Sequence, residues 1–200
     1  MSAGPRIVLA SKSPARGALL ANAGIAFDAI PSTVDERQVE APLIAAGRSP
    51  AEIAVALAEA KALDVGAAAG DALVIGADQT LDADGRRWVK PESMDEARDQ
   101  LLTLAGRSHM LQTAVAGVRA GAIRWRYVEA AELTLRPLTP DAVDRYLETV
   151  GEAALGSVGA YQVEGPGIQL FERIDGDYFA ILGLPLLPVL SWLRKEGALA

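Results

Sequence analysis

The feature that most constrains this chain is Ala72 to Ala77 (ALVIGA), a continuous apolar run that ends in Asp78. An uninterrupted run of this kind marks a central strand, here one that delivers a carboxylate at its C-terminal end. Ligands of open α/β sheets bind at that end. Arg6 to Ala10 reads as another short buried strand, running straight into Ser11-Lys12-Ser13-Pro14 and then a helix-forming stretch, Ala15 to Ala23. Ser13 suits the N-cap and Pro14 the first helical position, where its missing N–H costs nothing, and Gly24 ends the helix.

The same reading extends along the chain. Ile25 to Ile30 resembles a strand, followed by a polar loop carrying Asp35, Glu36 and Arg37. Ser49-Pro50-Ala51-Glu52 is a capping box that opens a helix from Pro50 towards Val65, and Gly66 to Gly70 is a loop. Asp84-Gly85 makes a hairpin turn, and Ser93 opens a helix that stops near Gly106. Ser108 to Arg136 reads as an antiparallel ribbon turning at Ala120-Gly121. Thr139-Pro140 caps a helix to about Val150, a glycine-punctuated loop follows, Ile168 to Ile174 makes a strand, and a helix closes the chain. Alternating helices and strands followed by a long antiparallel pair predict a mixed α/β fold with a cleft between two lobes.

Composition narrows the chemistry. The 200 residues suit a single domain, 1–200, and include no cysteine and one histidine, His109. Thiolate sites and multi-histidine sites are therefore excluded, so any metal is held mainly by oxygen. A net charge of -7 argues against a broad basic nucleic-acid surface, while an anionic small molecule fits if cations gather in one place. The longest apolar candidate for a membrane span, Ile181 to Leu193, contains Gly183, Pro185 and Pro188, which makes it a packed segment. The N-terminus is poor material for a secretory signal, so a cytoplasmic protein is expected.

Three constellations could carry chemistry. Ser11-Lys12-Ser13-Pro14-Ala15-Arg16, where a strand meets a helix N-terminus, offers amides, hydroxyls and cations to a phosphate chain, although it equally suits an ordinary cap with basic neighbours. Asp78, with Glu36 upstream and Lys61 and Lys90 as phosphate partners, could hold Mg²⁺ and orient water; each alone reads first as a solvated surface charge, and it is their joint placement at strand ends and loops that favours a site. Gly151 to Arg173 repeats glycines around Tyr161 and Glu164, where a buried carboxylate could accept the N1–H and exocyclic amine of guanine, the alternative being a turn with Glu164 in solvent. His109 reads as structural or surface imidazole, and Trp88, Trp125 and Trp192 as packing residues, one of which could stack on a ligand.

Taken in order, SKSPARGALL, VDE, VIGADQT, VKP, LAGRSH, GAYQVEGPGIQLFERIDGD and GLP resemble the Maf-like family of nucleotide pyrophosphatases over nearly the whole chain. The resemblance implies an elongated, mixed-sheet α/β fold of two lobes, similar to the inosine triphosphatases, with the active-site cleft between the lobes and a possible homodimer. It makes Asp78 the general base that activates water against the α-phosphorus. Ser11, Ser13 and Arg16 would bind phosphates, Lys61 and Lys90 would neutralise the leaving pyrophosphate, and Glu36 with Asp78 would hold Mg²⁺ or Mn²⁺. Ala15, Gln79 and Glu164 stand at the positions that set base preference. Gln79 and Glu164 resemble the branch acting on 7-methylguanosine triphosphate, whereas that branch tends to carry a large aromatic where this chain has Ala15. The alternatives are a dTTP and UTP hydrolase, or a nucleotide-binding regulator of septum formation with little turnover.

Overall fold

The computed structural model describes residues 4–200. In chain order the elements are β1 (Ile7–Leu9), α1 (Pro14–Asn22), β2 (Asp28–Ala29), α2 (Glu36–Ala45), α3 (Pro50–Gly66), β3 (Leu73–Ala83), β4 (Arg86–Trp88), α4 (Met94–Leu104), β5 (Ser108–Arg119), β6 (Ala122–Leu135), α5 (Pro140–Val150), β7 (Phe171–Asp175), α6 (Tyr178–Ile181) and α7 (Leu186–Lys195). The strands form a mixed sheet in the order β2-β1-β3-β5-β6-β7, with β4 paired to β3. β1 runs parallel to β2 and β3, while the β3–β4 and β6–β7 pairs are antiparallel. The fold is mixed α/β, as the pattern of runs predicts.

The chain divides into two compact units. The first comprises residues up to Gln79, Thr113–Glu129 and Tyr178–Ala200. Its strands alternate their side chains between two layers of core, as the period of two requires. Ile7, Leu9, Leu73 and Ile75 pack with Leu19 and Leu20 of α1 and with Val189, Trp192 and Leu193 of α7. Val8, Ala10 and Val74 pack with Ala54, Ala58 and Ala62 of α3. Leu20, Leu73 and Ile75 are wholly buried, each worth about 2 kcal/mol of hydrophobic stabilisation. Trp192 stacks on Trp125 with ring centroids 5.6 Å apart, so both are packing residues.

Small residues decide how closely α3 approaches β3. A Cβ on Gly76 would lie 2.3 Å from the Ala58 carbonyl oxygen and 2.7 Å from the Ala62 nitrogen, so only glycine permits this contact. α3 itself starts where the sequence predicts. Ser49 Oγ accepts from the Glu52 N–H at 3.3 Å, and the Glu52 carboxylate accepts from the Ser49 N–H at 2.8 Å.

The second unit comprises Thr80–Gln112 and Ala130–Asp177. Leu81, Leu101, Leu104, Leu133 and Leu135 are fully buried in it, and Arg98 on α4 meets Asp144 on α5 at 2.6 Å. Three 3-10 turns, Gly151–Gly156, Val158–Ala160 and Pro166–Leu170, occupy the glycine-punctuated segment. Among the described residues no helix is long and apolar enough to cross a membrane.

Four sequence expectations are corrected. The strand expected over Ile25 to Ile30 shortens to Asp28–Ala29, the stretch that pairs with β1. The polar loop at Asp35-Glu36-Arg37 is the start of α2: the Asp35 carboxylate caps the N–H groups of Arg37 and Gln38, and internal Pro42 hid the helix from its composition. β3 does not end at Asp78 but continues to Ala83, because its later residues pair with β4. The strand expected from Ile168 begins at Phe171, since Pro166–Leu170 winds as a 3-10 turn.

Candidate active site

Asp78 lies three residues beyond Ile75, where β3 makes its last register match to β1 at Leu9. It is only 7% exposed, on the same strand face as Gly76. Because Gly76 lets α3 approach, Lys61 on that helix reaches Asp78, its Nζ 2.6 Å from the carboxylate. The same ammonium is 2.7 Å from Glu36 Oε1, on the first turn of α2. Three residues distant in sequence thus meet at one point. Burial lifts the Asp78 carboxyl above its ordinary value, against the opposing pull of the Lys61 and Arg16 charges. A carboxylate so placed holds a proton more readily than one in water.

The loop after β1 supplies a second cluster. Ser13 Oγ caps α1 by accepting the Arg16 N–H at 3.4 Å, and Ser11 Oγ accepts both the Ser13 N–H at 3.2 Å and Arg16 Nη1 at 3.3 Å. The Arg16 guanidinium also donates from Nη1 to the Ala77 carbonyl at 2.9 Å and from Nε to the Gly183 carbonyl at 2.8 Å. Burial lowers its pKa, and the Asp78 and Glu36 charges offset part of that. It stays charged at any working pH. Two cations and two carboxylates are therefore gathered around the C-terminal end of the parallel strands, next to the N-terminus of α1. Ala15 lies on the first turn of that helix, half-buried.

Gln79, the next residue along β3, spends its amide nitrogen on three acceptors: Thr113 Oγ1 at 2.8 Å and the Ala180 and Ile181 carbonyls, both at 3.1 Å. Sequence reasoning picked out Gln79 but not Thr113 or the Ala180–Gly183 turn, which become its neighbours only through folding.

Lys90 and Glu164 belong to the second unit. Lys90 follows β4 on an exposed stretch. Glu164 is exposed on the turn that the Gly165 N–H closes onto the Gln162 carbonyl at 3.2 Å, so of the two readings of this segment the glycine-rich turn with Glu164 in solvent is the one observed. The backbone beneath it is tightly wound: a Cβ on Gly167 would lie 2.5 Å from the Gln162 oxygen. His109 is 2% exposed and its Nε2 lies 2.6 Å from the Tyr161 hydroxyl, while burial drops its pKa to about 4. It is a neutral structural imidazole holding the aromatic that precedes the Glu164 turn.

For a metal, the described residues contain no group of three or more His, Cys, Asp or Glu side chains that could hold one. Glu36 and Asp78 do converge on a single cationic centre, the Lys61 ammonium. Two carboxylates completed by ligand phosphates suit Mg²⁺, which rarely uses an all-protein cage.

The family model described as Maf-like protein matches residues 6–196. The chain is 56% identical over 195 residues to a 7-methyl-GTP pyrophosphatase of Rhizobium meliloti, covering 98% of each chain. It is 54% identical over 191 residues to a protein of the same name from Brucella abortus, covering 96% of each. A nucleoside triphosphate pyrophosphatase of Caulobacter vibrioides is 51% identical over 193 residues, again with 96% of each chain covered.

Proposed function

Because the chain belongs to the Maf-like family, we propose that it is a nucleoside triphosphate pyrophosphatase, cleaving the α–β phosphoanhydride to give a nucleoside monophosphate and pyrophosphate. The observation that carries this reading is the buried Asp78, lifted in pKa and held by Lys61 beside the Ser11-Ser13-Arg16 cluster. A general base needs a raised carboxyl, and the triphosphate needs adjacent donors. Asp78 takes a proton from water, the water oxygen bonds the α-phosphorus, and the bond from that phosphorus to the bridging oxygen breaks. Ser11, Ser13 and Arg16 bind the phosphates, and Lys61 and Lys90 offset the charge on the departing pyrophosphate. Bound Mg²⁺ or Mn²⁺, held by Glu36 and Asp78, supplies further charge neutralisation on the phosphates.

The relatives named for 7-methyl-GTP support the same preference here. N7-methylated guanine is cationic, and its Watson–Crick edge donates hydrogen bonds that the Glu164 carboxylate complements. A cytoplasmic enzyme acting as a homodimer completes the reading. Purified protein is incubated with Mg²⁺ and dTTP, UTP, CTP, GTP, ATP or 7-methyl-GTP, and pyrophosphate and orthophosphate are measured separately. Pyrophosphate released fastest from 7-methyl-GTP is the expected result. Fastest release from dTTP or UTP overturns the base preference, and none from any nucleotide leaves a binding regulator as the better reading.

A further inference from the structure

We infer that Asp64 is a positioning residue for Glu36, acting through the Ser32–Thr33 segment that it anchors to α3; the consequence for metal binding rests on the part given to Glu36 above. A surface helix ordinarily buries an apolar stripe, but α2 buries none of its ten residues, so no apolar anchor fixes the helix that Glu36 begins. Polar contacts at its N-terminal end have to do so. The Asp64 carboxylate accepts from the chain that leads into α2: the Thr33 N–H at 2.8 Å, the Ser32 hydroxyl at 2.9 Å and the Thr33 hydroxyl at 3.2 Å. Ser32 Oγ in turn accepts the Val34 N–H at 3.1 Å, and the Asp35 carboxylate caps α2. A side-chain bond therefore secures each residue from Ser32 to Asp35.

Nothing within α3 itself favours aspartate at this position. Asp64 lies in the last turn of the helix, at the negative end of the helix dipole, and aspartate is a weaker helix former than alanine. Its partners are tertiary. The Thr33 N–H first and the Ser32 hydroxyl second hold its carboxyl below the ordinary value, so it is ionised and its bonds are charge-assisted. Lys61, which meets Glu36 at 2.7 Å, stands three residues earlier on the same helix, so the two side chains share one face. α3 thereby grips the segment from Ser32 to Glu36 at both ends, and α2 packs back against it. Without Asp64 the entry to α2 loses this hold on α3, and the half-exposed Glu36 carboxylate is found less often beside the ammonium it shares with Asp78. A metal whose ligand is less firmly placed binds more weakly, whatever the nucleotide.

The test compares Asp64→Ala with Asp64→Asn, which keeps an acceptor oxygen and discards the charge. Mn²⁺ is titrated into each protein and the free ion counted by EPR, and the Mg²⁺ requirement of pyrophosphate release is read beside it. Asp64→Ala should weaken Mn²⁺ binding about fivefold and raise the half-maximal Mg²⁺ concentration as much, with kcat at saturating Mg²⁺ within about twofold of the parent. Asp64→Asn should stay within about twofold of the parent on both scales. In the Glu36→Gln background, Asp64→Ala should add less than about twofold, since its effect is exerted through Glu36. Asp64 is exposed and alanine is the better helix former, so both variants should fold; Ser32→Ala, which removes a donor on the other side of the contact, repeats the test if they do not. Unchanged Mn²⁺ binding in Asp64→Ala overturns the proposal. So does a loss that persists in full beside Glu36→Gln, or an equal loss in Asp64→Asn, which would trace the effect to charge alone. If the parent binds no Mn²⁺, or Glu36→Gln leaves binding unchanged, the metal reading of Glu36 falls and amide exchange decides the positioning by itself. The Arg37 N–H, capped by Asp35, should then exchange about fivefold faster in Asp64→Ala, and unchanged exchange overturns the proposal.

Discussion

Lys61 meets Asp78 at 2.6 Å across a contact that exists because the residue two before Asp78 is glycine. Positions 76 and 78 lie on one face of β3, where the alanine side of α3 lies against the strand. Helix and strand backbones come close at Gly76, and the next turn outward carries the ammonium to the carboxylate. Packing and chemistry are coupled in this way at one strand position.

Gly76→Ala should therefore damage both. The added Cβ would meet backbone atoms of α3, which cannot rotate away, so a stability loss of about 1–3 kcal/mol is expected in urea melts. At denaturant-free conditions where the variant is still folded, kcat should also drop, because α3 carries Lys61 with it as it retreats.

Asp78 governs the acid limb of the pH–kcat/KM profile. Burial raises its pKa and Lys61 opposes the rise, so the limb should fall above the ordinary carboxylate range. Lys61→Met removes the opposing charge, and the limb of its residual activity should move to higher pH. A limb displaced downward would contradict the assignment. Asp78→Asn should lower kcat by about 10²-fold or more while nucleotide binding, followed by calorimetry, persists.

Glu36 is half-exposed and shares the Lys61 ammonium. Its substitution to Gln should leave the fold intact and raise the Mg²⁺ concentration for half-maximal activity about tenfold, read from a metal titration.

His109 should make the fold acid-sensitive. Its pKa is about 4 when folded against 6.5 for an unperturbed imidazole, so the native state binds the proton more weakly than the unfolded chain does. Stability from this group is complete above pH 6.5 and is lost as pH falls towards 4, by about 3 kcal/mol. His109→Phe loses the Tyr161 hydrogen bond at neutral pH but should shed this dependence. The difference in unfolding free energy between parent and variant, measured from pH 7 to 4, should shrink steadily.

Glu164→Gln should lower the 7-methyl-GTP to dTTP ratio of kcat/KM by about tenfold, the worth of a charge-assisted hydrogen bond against a neutral one. An unchanged ratio would remove Glu164 from base reading.

Local signals were legible wherever the physics is local. Ser13, Ser49, Ser93 and Thr139 each cap the helix that its neighbours announce, because a cap is a bond across three residues. The run at Ala72 to Ala77 marked a central strand because a strand covered on both faces needs apolar residues at every position. Legibility failed at Glu36, where Pro42 disguised a helix whose cap, Asp35, was in plain view. It failed again at β3, whose continuation past Asp78 depends on pairing with β4.

The order of residue types along the chain was enough to determine the mixed α/β class, the helix starts and the set of residues carrying the family resemblance, since each depends on neighbours a few positions apart. Only the tertiary structure decided that Lys61 bridges Glu36 and Asp78, that Arg16 is gripped by Ala77 and Gly183, and that the Gln79 amide is committed to Thr113 and the α6 carbonyls. Those contacts join residues 17 to 167 positions apart. Their geometry is set by how closely backbones pack, which a glycine at position 76 permits and no local pattern reveals.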